Sequence, residues 1–548
     1  MAKIVESITD LSLDELGSLV TSSNNLIAKV LEKTRALTGG PEGIDQHQVV
    51  VERAAYAATE ARAASELLSI AALDSRSKKV ATAGIGEVVT RMRHRIDAIL
   101  PDIGLDEDDL EDTFSASERA VLRRASGEDL VRSVGAETIQ AGGSIPWPLD
   151  DMMVQIRDSV REFAEAEIAP EAERIHRNDD IIPEKFIQSM SELGYFGMSI
   201  PEKFGGHDMG MLAMILITEE LSRASLAAAG SLITRPEILS KALIKGGTEE
   251  QQSHWLPQIA AGQLMVAISV TEPDVGSDVA SLKCRATKTV VEGEAGYVIN
   301  GPKAWCTFAG RADIIALLAR TNPDPKLKAK GLSLFIIPKD RFTGHSFEMN
   351  QASGGRIIGK ADATPGYRGM HSFTLNFENY FVPENHLVGE EEGVGKGFYL
   401  QMAGFAAGRL QTGGRATGLS QAALEKTVEY VVDRTQFGQP ISNFQLTQYL
   451  IGRMTAQLSA ARAITYAAAE EMERDERKAS LIAAQAKLLA CDIAVDVSQQ
   501  GQLLHGGWGY AEEYAISRYV ADSNVLPIFE GVKPILELKV IARALLAT

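Results

Sequence analysis

The spacing of apolar positions changes twice along the chain, and the changes mark out its elements. Up to about residue 145 the rhythm is helical. VVVERAAYAATEARAASELLSIAAL (49–73) is rich in alanine and other strong helix formers, with no internal glycine or proline. GEVVTRMRHRIDAIL (86–100) predicts a second helix that stops at Pro101, and the acidic run GLDEDDLEDTF (104–114) reads as a solvated loop or helix start. AGGSIPWPLDD (141–151) combines glycines and prolines as a linker would. Beyond it, DDMMVQIRDSVREFAEAEIAP (150–170) predicts a helix opened by acids and ended at Pro170. KFIQSMSELGYFGMSIPEKFGG (185–206) predicts a short helix and a Gly-Gly turn, and MLAMILITEELSRASLAAAGSLI (211–233) one long buried helix.

From about residue 266 the period shortens. VAISV, KCRATKTVV, GYVING, DIIALLAR, LSLFIIP and HSFTLNF are β-branched and aromatic runs separated by EPDVGSD, EGEAG and NGPK. That pattern predicts an antiparallel sheet or small barrel. After VPENHLVG (382–389) the helical rhythm returns. One helix is expected from Gly397 to about Arg434. A second carries Leu450, Met454, Leu458 and Ala461 on its core-facing stripe, a third spans RKASLIAAQAKLLACDIAVDVSQQ (477–500), and the last begins near Pro534. Four long helices with short connections suggest a bundle. The expected class is therefore α+β: a helical extension over 1–145, a helical domain over 146–265, a β domain over 266–390 and a four-helix bundle over 391–548.

Composition narrows the function classes. With 548 residues the chain holds roughly three or four domain-sized units. A net charge of −18 argues against nucleic acid and against an anionic membrane surface. Cys284, Cys306 and Cys491 are far apart and show no metal spacing, so neither zinc nor a disulfide framework is expected. MAKIVESITDLSLDEL lacks the apolar core of a secretory leader and the arginines of a transit peptide, and no apolar run approaches a membrane span. A reducing cytoplasm fits best. The extension carries no recognisable chemistry, and its expected role is packing or oligomer contact.

Several tempting motifs fail. EEEGVGKGF (390–398) lacks the ending of a P-loop and the strand–turn–helix setting of a dinucleotide fingerprint, and reads as a turn entering a helix. The histidines show no metalloprotease spacing, and no GxSxG elbow exists. Four segments survive. VTEPDVGSD (270–278) ends a strand in a turn whose hydroxyls and amides suit a planar ligand. KAWCTF (303–308) offers Trp305 to stack and Thr307 to donate. RTQFG (434–438) sets a guanidinium beside an aromatic, apt for a pyrophosphate. HGGWGY (505–510) permits close backbone approach. Each alone is weak, since strand aromatics are usually core and Gly-Gly is usually a turn. The same holds for PIFEGV (527–532), where Glu530 is either an exposed turn residue or a carboxylate held against an apolar wall and so made a stronger base.

In combination these pieces resemble the acyl-CoA dehydrogenase family. The order TEPDVGSD, NGPKAWCT, VPENHLVG with GKGF, RTQFGQPISNFQ, HGGWGY and FEGVKPILELKVIARALL covers nearly all of the chain beyond residue 150. The resemblance implies a helical domain, a middle β domain and a C-terminal four-helix bundle, with bound FAD. It implies that Glu530 is the base that takes the α-proton of an acyl thioester, with its own backbone amide among the donors to the thioester oxygen. Gly531 follows it at the substrate. Val270 and Thr271 are expected at the flavin ring with Trp305 and Thr307, and Ser277 near the CoA chain. Arg434, Phe437, Gln445, Gly506 and Gly507 are expected to reach the FAD of a neighbouring subunit, so a homo-oligomer is the minimum unit. Some members carry the base on another helix. The matching segment GFAAGRLQ (404–411) offers Gly408 there, and Arg409 matches a family arginine near the active site.

Three departures stand out. Val532-Lys533-Pro534 replaces the hydroxyl residues that touch FAD in the family, the glutamine before Gly-Gly is shifted to Gln502, and GGRIIGKADATPGYRG (354–369) is longer and richer in glycine than the family pattern. Aligning GSLITRPEIL through GGTEEQQ puts Arg235 near the base of the acyl pocket. A buried arginine needs a partner, and an acyl group ending in a carboxylate would supply one; the competing reading is a structural arginine. The substrate expected is a short branched dicarboxylic acyl-CoA, with a short branched monocarboxylic one as the alternative. Electron-transfer flavoprotein is the expected electron acceptor. Two other readings stay open: an acyl-CoA oxidase, and a flavin-bound interaction protein of the same fold.

Overall fold

The computed structural model describes residues 10–73 and 75–547; the reading of the first nine residues as no leader lies outside them. Among the described residues six α-helices precede the linker: α1 (Leu13–Thr38), α2 (Gln48–Ala71), α3 (Ser75–Asp97), α4 (Glu107–Thr113), α5 (Ala116–Ala125) and α6 (Glu128–Gln140). The acidic run is a helix start. Asp106 caps α4 by accepting from the Asp109 amide, while Asp109 reaches back to the Asp106 amide. Ser12 and Glu15 form the same box on α1, which Gly39 closes in the left-handed conformation.

Helix α7 (Asp151–Phe163) does not end at Pro170. A π-turn over Ala164–Ile168 carries the helical run on into α8 (Ala169–Asn178), so Pro170 stands inside it, directly after the turn in which the regular hydrogen-bond ladder is already displaced. Next come α9 (Glu184–Glu192) and α10 (Gly210–Ala224). The long helix expected over 211–233 breaks at Ser225, whose extended backbone (φ −158°, ψ 116°) and side chain, accepting from the Ala228 amide, begin a separate turn. Helices α11 (Thr234–Gly246) and α12 (Glu249–Ala260) complete this part.

The sheet has eight strands: β1 (Val266–Ser269), β2 (Arg285–Val291), β3 (Glu294–Thr307), β4 (Ile314–Arg320), β5 (Leu332–Pro338), β6 (Ser346–Asn350), β7 (Arg356–Ala361) and β8 (Ser372–Pro383). Its order is β1-β4-β2-β3-β8-β7-β6, with β5 on β4. Pairings are antiparallel except those that β4 makes with β1 and β2. The glycine-rich segment 354–369 supplies β7 and the loop after it. Helices α13 (Gly397–Asp433), α14 (Gln445–Arg474), α15 (Glu476–Leu504) and α16 (Ile516–Ser523) follow, and a last helical run begins at Lys533. Among the described residues no helix is long and apolar enough to cross a membrane.

Two compact units result, Met1–Gln155 with Thr412–Thr548, and Ile156–Gln411. In the first, the extension is packed on the C-terminal helices. Glycine makes this possible: a Cβ on Gly135 of α6 would lie 1.8 Å from the Gln448 carbonyl oxygen of α14, and one on Gly452 would lie 1.9 Å from that of Val131. The alanine face of α2 is buried, Thr455 hydrogen-bonds Thr138 at 3.1 Å, and Arg62 pairs with Glu471 at 3.0 Å. The linker is tied down as well, by Gln421 donating to the Gly143 carbonyl at 2.9 Å and by Trp147 set edge-on to Tyr466.

Candidate active site

In the unit Ile156–Gln411 the expected ligand-facing residues gather where β1 ends beside β3. Val270 is buried and Thr271 half-buried, and the Thr271 carbonyl accepts from the Ala304 amide at 2.8 Å. The register of β3 on β8 slips between Lys303 and Cys306. Inside that bulge Trp305 adopts φ +57° and is 59% exposed. Left-handed backbone under a bulky side chain is held at a cost of about 1–3 kcal/mol, and here it turns an indole outward. Thr307, mostly buried, shares a 3.0 Å hydrogen bond with Ser372. Ser277 is exposed in the turn.

The scaffold beneath was not picked out in the sequence. Lys303 is wholly buried in β3, and its ammonium donates to the Val270 carbonyl at 2.9 Å and to the Glu272 carboxylate at 3.1 Å. Glu272 also accepts from the Lys283 and Cys284 amides at 2.7 and 2.8 Å. The pair fixes the turn that begins at Val270.

Arg235 stands in the first turn of α11 and is 5% exposed. Its Nη1 donates to the Ser231 carbonyl at 3.1 Å and to the Tyr367 hydroxyl at 3.2 Å. Both partners are neutral, and among the described residues no carboxylate pairs with it. Tyr367 (φ +58°) is delivered by the loop after β7, which gives the glycine-rich insertion a structural part. Burial pushes the neighbouring Cys306 thiol up to about 12, a hydrogen bond from Ser269 and the charge of Arg235 acting against it. Arg409 lies half-buried on α13, next to the buried Gly408.

In the other unit, Arg434, Gly506 and Gly507 come together around a groove of ≈ 560 Å³ that Gln436 and Trp508 also line. A Cβ on either glycine would meet nothing within 4 Å, and Gly506 has φ +60°. His505 closes one wall, stacked on Tyr430 at 4.3 Å with Nδ1 donating to the Gly501 carbonyl at 2.7 Å, and its burial lowers its pKa. Gln502 donates to the Gly509 carbonyl at 3.0 Å and closes the same turn. Phe437 (φ +51°, 95% exposed) and Gln445, exposed at the start of α14, stand outside the groove lining.

Glu530 occupies a tight turn, half-buried, so neither a free surface residue nor a fully enclosed one. It has φ +54° and Gly531 φ +102°. The Lys533 amide closes the turn on the Pro527 carbonyl at 2.9 Å. Two wholly buried cations brace it: Lys487 donates to the Gly531 carbonyl at 2.8 Å, and Arg415 lies 4.6 Å over the Phe529 ring.

These features fit a large flavin nucleotide in kind: an outward-turned indole beside a hydroxyl, and an open glycine-lined groove with a guanidinium for phosphate. Among the described residues, Asp179, His345 and His371 form one group of metal-ligand type, with donor atoms within 4.8 Å. The Arg368 guanidinium, 3.5 Å from Asp179, already supplies a cation to that carboxylate. Hydrogen bonds of His371 to Asp179 and to His345, both at 3.1 Å, link the end of α8 to the segments that lead into β6 and β8.

Three family models match the chain: acyl-CoA dehydrogenase, N-terminal domain, over residues 151–263; middle domain, over 267–380; and C-terminal domain, over 395–546. A (2S)-methylsuccinyl-CoA dehydrogenase of Cereibacter sphaeroides is 37% identical over 413 residues, 75% of this chain and 72% of that protein. A mitochondrial 2-methylacyl-CoA dehydrogenase of Solanum tuberosum is 35% identical, covering 74% of this chain and 93% of its own. The solved butyryl-CoA dehydrogenase of Megasphaera elsdenii superposes with a TM-score of 0.66 at 29% identity, over 73% of this chain and all of that one.

Proposed function

The chain belongs to the acyl-CoA dehydrogenase family, and from that premise we propose that it oxidises a short branched dicarboxylic acyl-CoA, (2S)-methylsuccinyl-CoA to 2-methylfumaryl-CoA. The family level is plain: an FAD-dependent oxidoreductase acting on acyl-CoA. The substrate is the further step, because the relatives named above act on three different acyl groups.

The observation that carries it is Arg235. A guanidinium this buried, with only a carbonyl and a hydroxyl as partners, has given up its hydration without a counter-charge. A carboxylate at the far end of the acyl chain supplies that charge in bidentate form. A monocarboxylic branched acyl group, suggested by the 2-methylacyl relative, would leave the charge unanswered.

The chemistry follows from residue types. The Glu530 carboxylate takes the α-proton, with the thioester oxygen held by the Glu530 backbone N–H so that enolate charge is met by a donor. Bound FAD supplies the acceptor for the β-hydrogen, which leaves with its electron pair as the Cα–Cβ double bond forms. Trp305 and Thr307, with Val270 and Thr271, hold the ring of that cofactor. Arg434 would hold the pyrophosphate of a neighbouring subunit's FAD along the Gly506–Gly507 groove, with Phe437 and Gln445 at the edge of that groove. Ser277 lies along the CoA chain and Arg409 beside the acyl group. The functional unit is a homo-oligomer with electron-transfer flavoprotein as its electron acceptor.

Anaerobic flavin bleaching tests the substrate. Purified protein is mixed with methylsuccinyl-CoA, butyryl-CoA and isobutyryl-CoA in turn. Fast bleaching by the dicarboxylic thioester alone is expected. Bleaching by the monocarboxylic thioesters alone would discard the substrate and leave the family untouched.

A further inference from the structure

The N-terminal extension and the turn that carries Glu530 meet in one polar chain, wholly buried at Tyr56 and Glu60 and half-exposed at Lys533. Tyr56 of α2 is wholly buried, and its hydroxyl donates to Asp492 Oδ2 of α15 at 2.7 Å. Lys533 donates from Nζ to the same oxygen at 2.5 Å, and its ammonium stands 5.2 Å from the Tyr56 ring centre. Arg95 of α3 covers that ring at 3.7 Å, and its Nε donates to both oxygens of the wholly buried Glu60 at 3.1 and 3.2 Å. Arg91 approaches Glu60 at 3.5 Å. Burial, then the charges of Asp492 and Glu60, push the Tyr56 hydroxyl well above its ordinary range, so it stays a neutral donor.

Lys533 is also the residue whose amide closes the turn on Pro527. It therefore holds the turn twice, by main chain and by side chain. Glu530 is in left-handed backbone, which a non-glycine residue keeps only when its surroundings over-determine it, while Gly531 beside it adopts positive φ freely. An apolar trio could dock the extension at least as well as a buried ionic one. What the polar chain adds is a fixed direction for Lys533.

We propose that Tyr56 is a positioning residue for Glu530, acting through Asp492 and Lys533, so that the extension sets the geometry of the base. The proposal rests on Glu530 as the base. It gives the extension a part in turnover, and it accounts for Lys533 where the family pattern has a hydroxyl residue.

The test uses the full-length flavoprotein with Tyr56→Phe, Lys533→Met and the double variant. Tyr56→Phe removes one oxygen; Lys533→Met carries the test if the first does not fold. Flavin content, KM, the single-turnover bleaching rate and the α-deuterium isotope effect are measured together. The expected result is flavin content and KM within about twofold of wild type and a bleaching rate lower by about ten- to a hundredfold, the size of a small misplacement of a reacting group. The isotope effect should grow, and the double variant should be no slower than the slower single. Wild-type bleaching rates in both single variants, or a rate lost only in step with flavin, overturn the proposal. Glu530→Gln is the control. If it bleaches normally, the base reading fails; if it is inactive while Tyr56→Phe and Lys533→Met are normal, the positioning role alone fails.

Discussion

Replacing Arg235 by methionine separates the two acyl classes. Methionine keeps an unbranched chain of similar reach and removes the charge. In the free protein Arg235 has two neutral acceptors, at 3.1 and 3.2 Å, so the variant loses two modest hydrogen bonds and an uncompensated charge. These oppose each other, and Tm should hold within a few degrees. In the complex the balance differs. Removing one partner of a buried ion pair costs about 3–5 kcal/mol. At about 1.4 kcal/mol per decade that is roughly two to three and a half decades. The expected kcat/KM for methylsuccinyl-CoA therefore falls at least a hundredfold, with flavin content unchanged. For butyryl-CoA, which offers no carboxylate, kcat/KM should stay level or rise. Steady-state kinetics with an artificial acceptor and anaerobic bleaching report both numbers. An equal fall for the two thioesters, or no fall for the dicarboxylic one, would refute the reasoning and return Arg235 to a structural role with Tyr367.

Two further outcomes follow from the unit that holds the extension. Gly135→Ala puts a methyl where the Gln448 carbonyl stands, and should destabilise the packing of α6 on α14 by about 1–3 kcal/mol, read as faster proteolytic release of the extension. Burial pushes Glu537 up to about 7, with Lys533 opposing, so the folded state holds that proton while the unfolded chain releases it near its ordinary value of 4.5. The contribution of Glu537 is complete below that value and is lost as pH rises toward 7. Glu537→Gln should then leave Tm unchanged at about pH 4 and raise it at about pH 8; an equal shift at both would refute the assignment.

What could be read in the sequence was local. Ala-rich α2 announces itself through helix formers without breakers, and α13 through its apolar rhythm despite Gly404, Gly408, Gly413, Gly414 and Gly418 inside it. The strand runs of the β region do so through β-branched residues and turns. Pro170 misled because a π-turn just before it lets the helical run continue past a proline, and that turn leaves no compositional mark. Ser225 was hidden because a capping serine inside an apolar run looks like any small residue. The pairing of β1 with β4 and the Glu272–Lys303 bridge depend on register between distant segments. The same is true of Tyr367 reaching Arg235, and of Gly135 facing Gly452. The candidate site residues were visible as residue types in order; their supports were not, because buried charges draw their meaning from partners.

The central claim is that Glu530 removes the α-proton, and Glu530→Gln tests it most directly. Amide for carboxylate keeps the shape of the turn, so the purified variant should retain its FAD and its thermal stability. Its anaerobic bleaching rate with methylsuccinyl-CoA should fall by about a thousandfold, within the range a positioned base contributes. A flavin-loaded Glu530→Gln protein that bleaches near the wild-type rate would contradict the account.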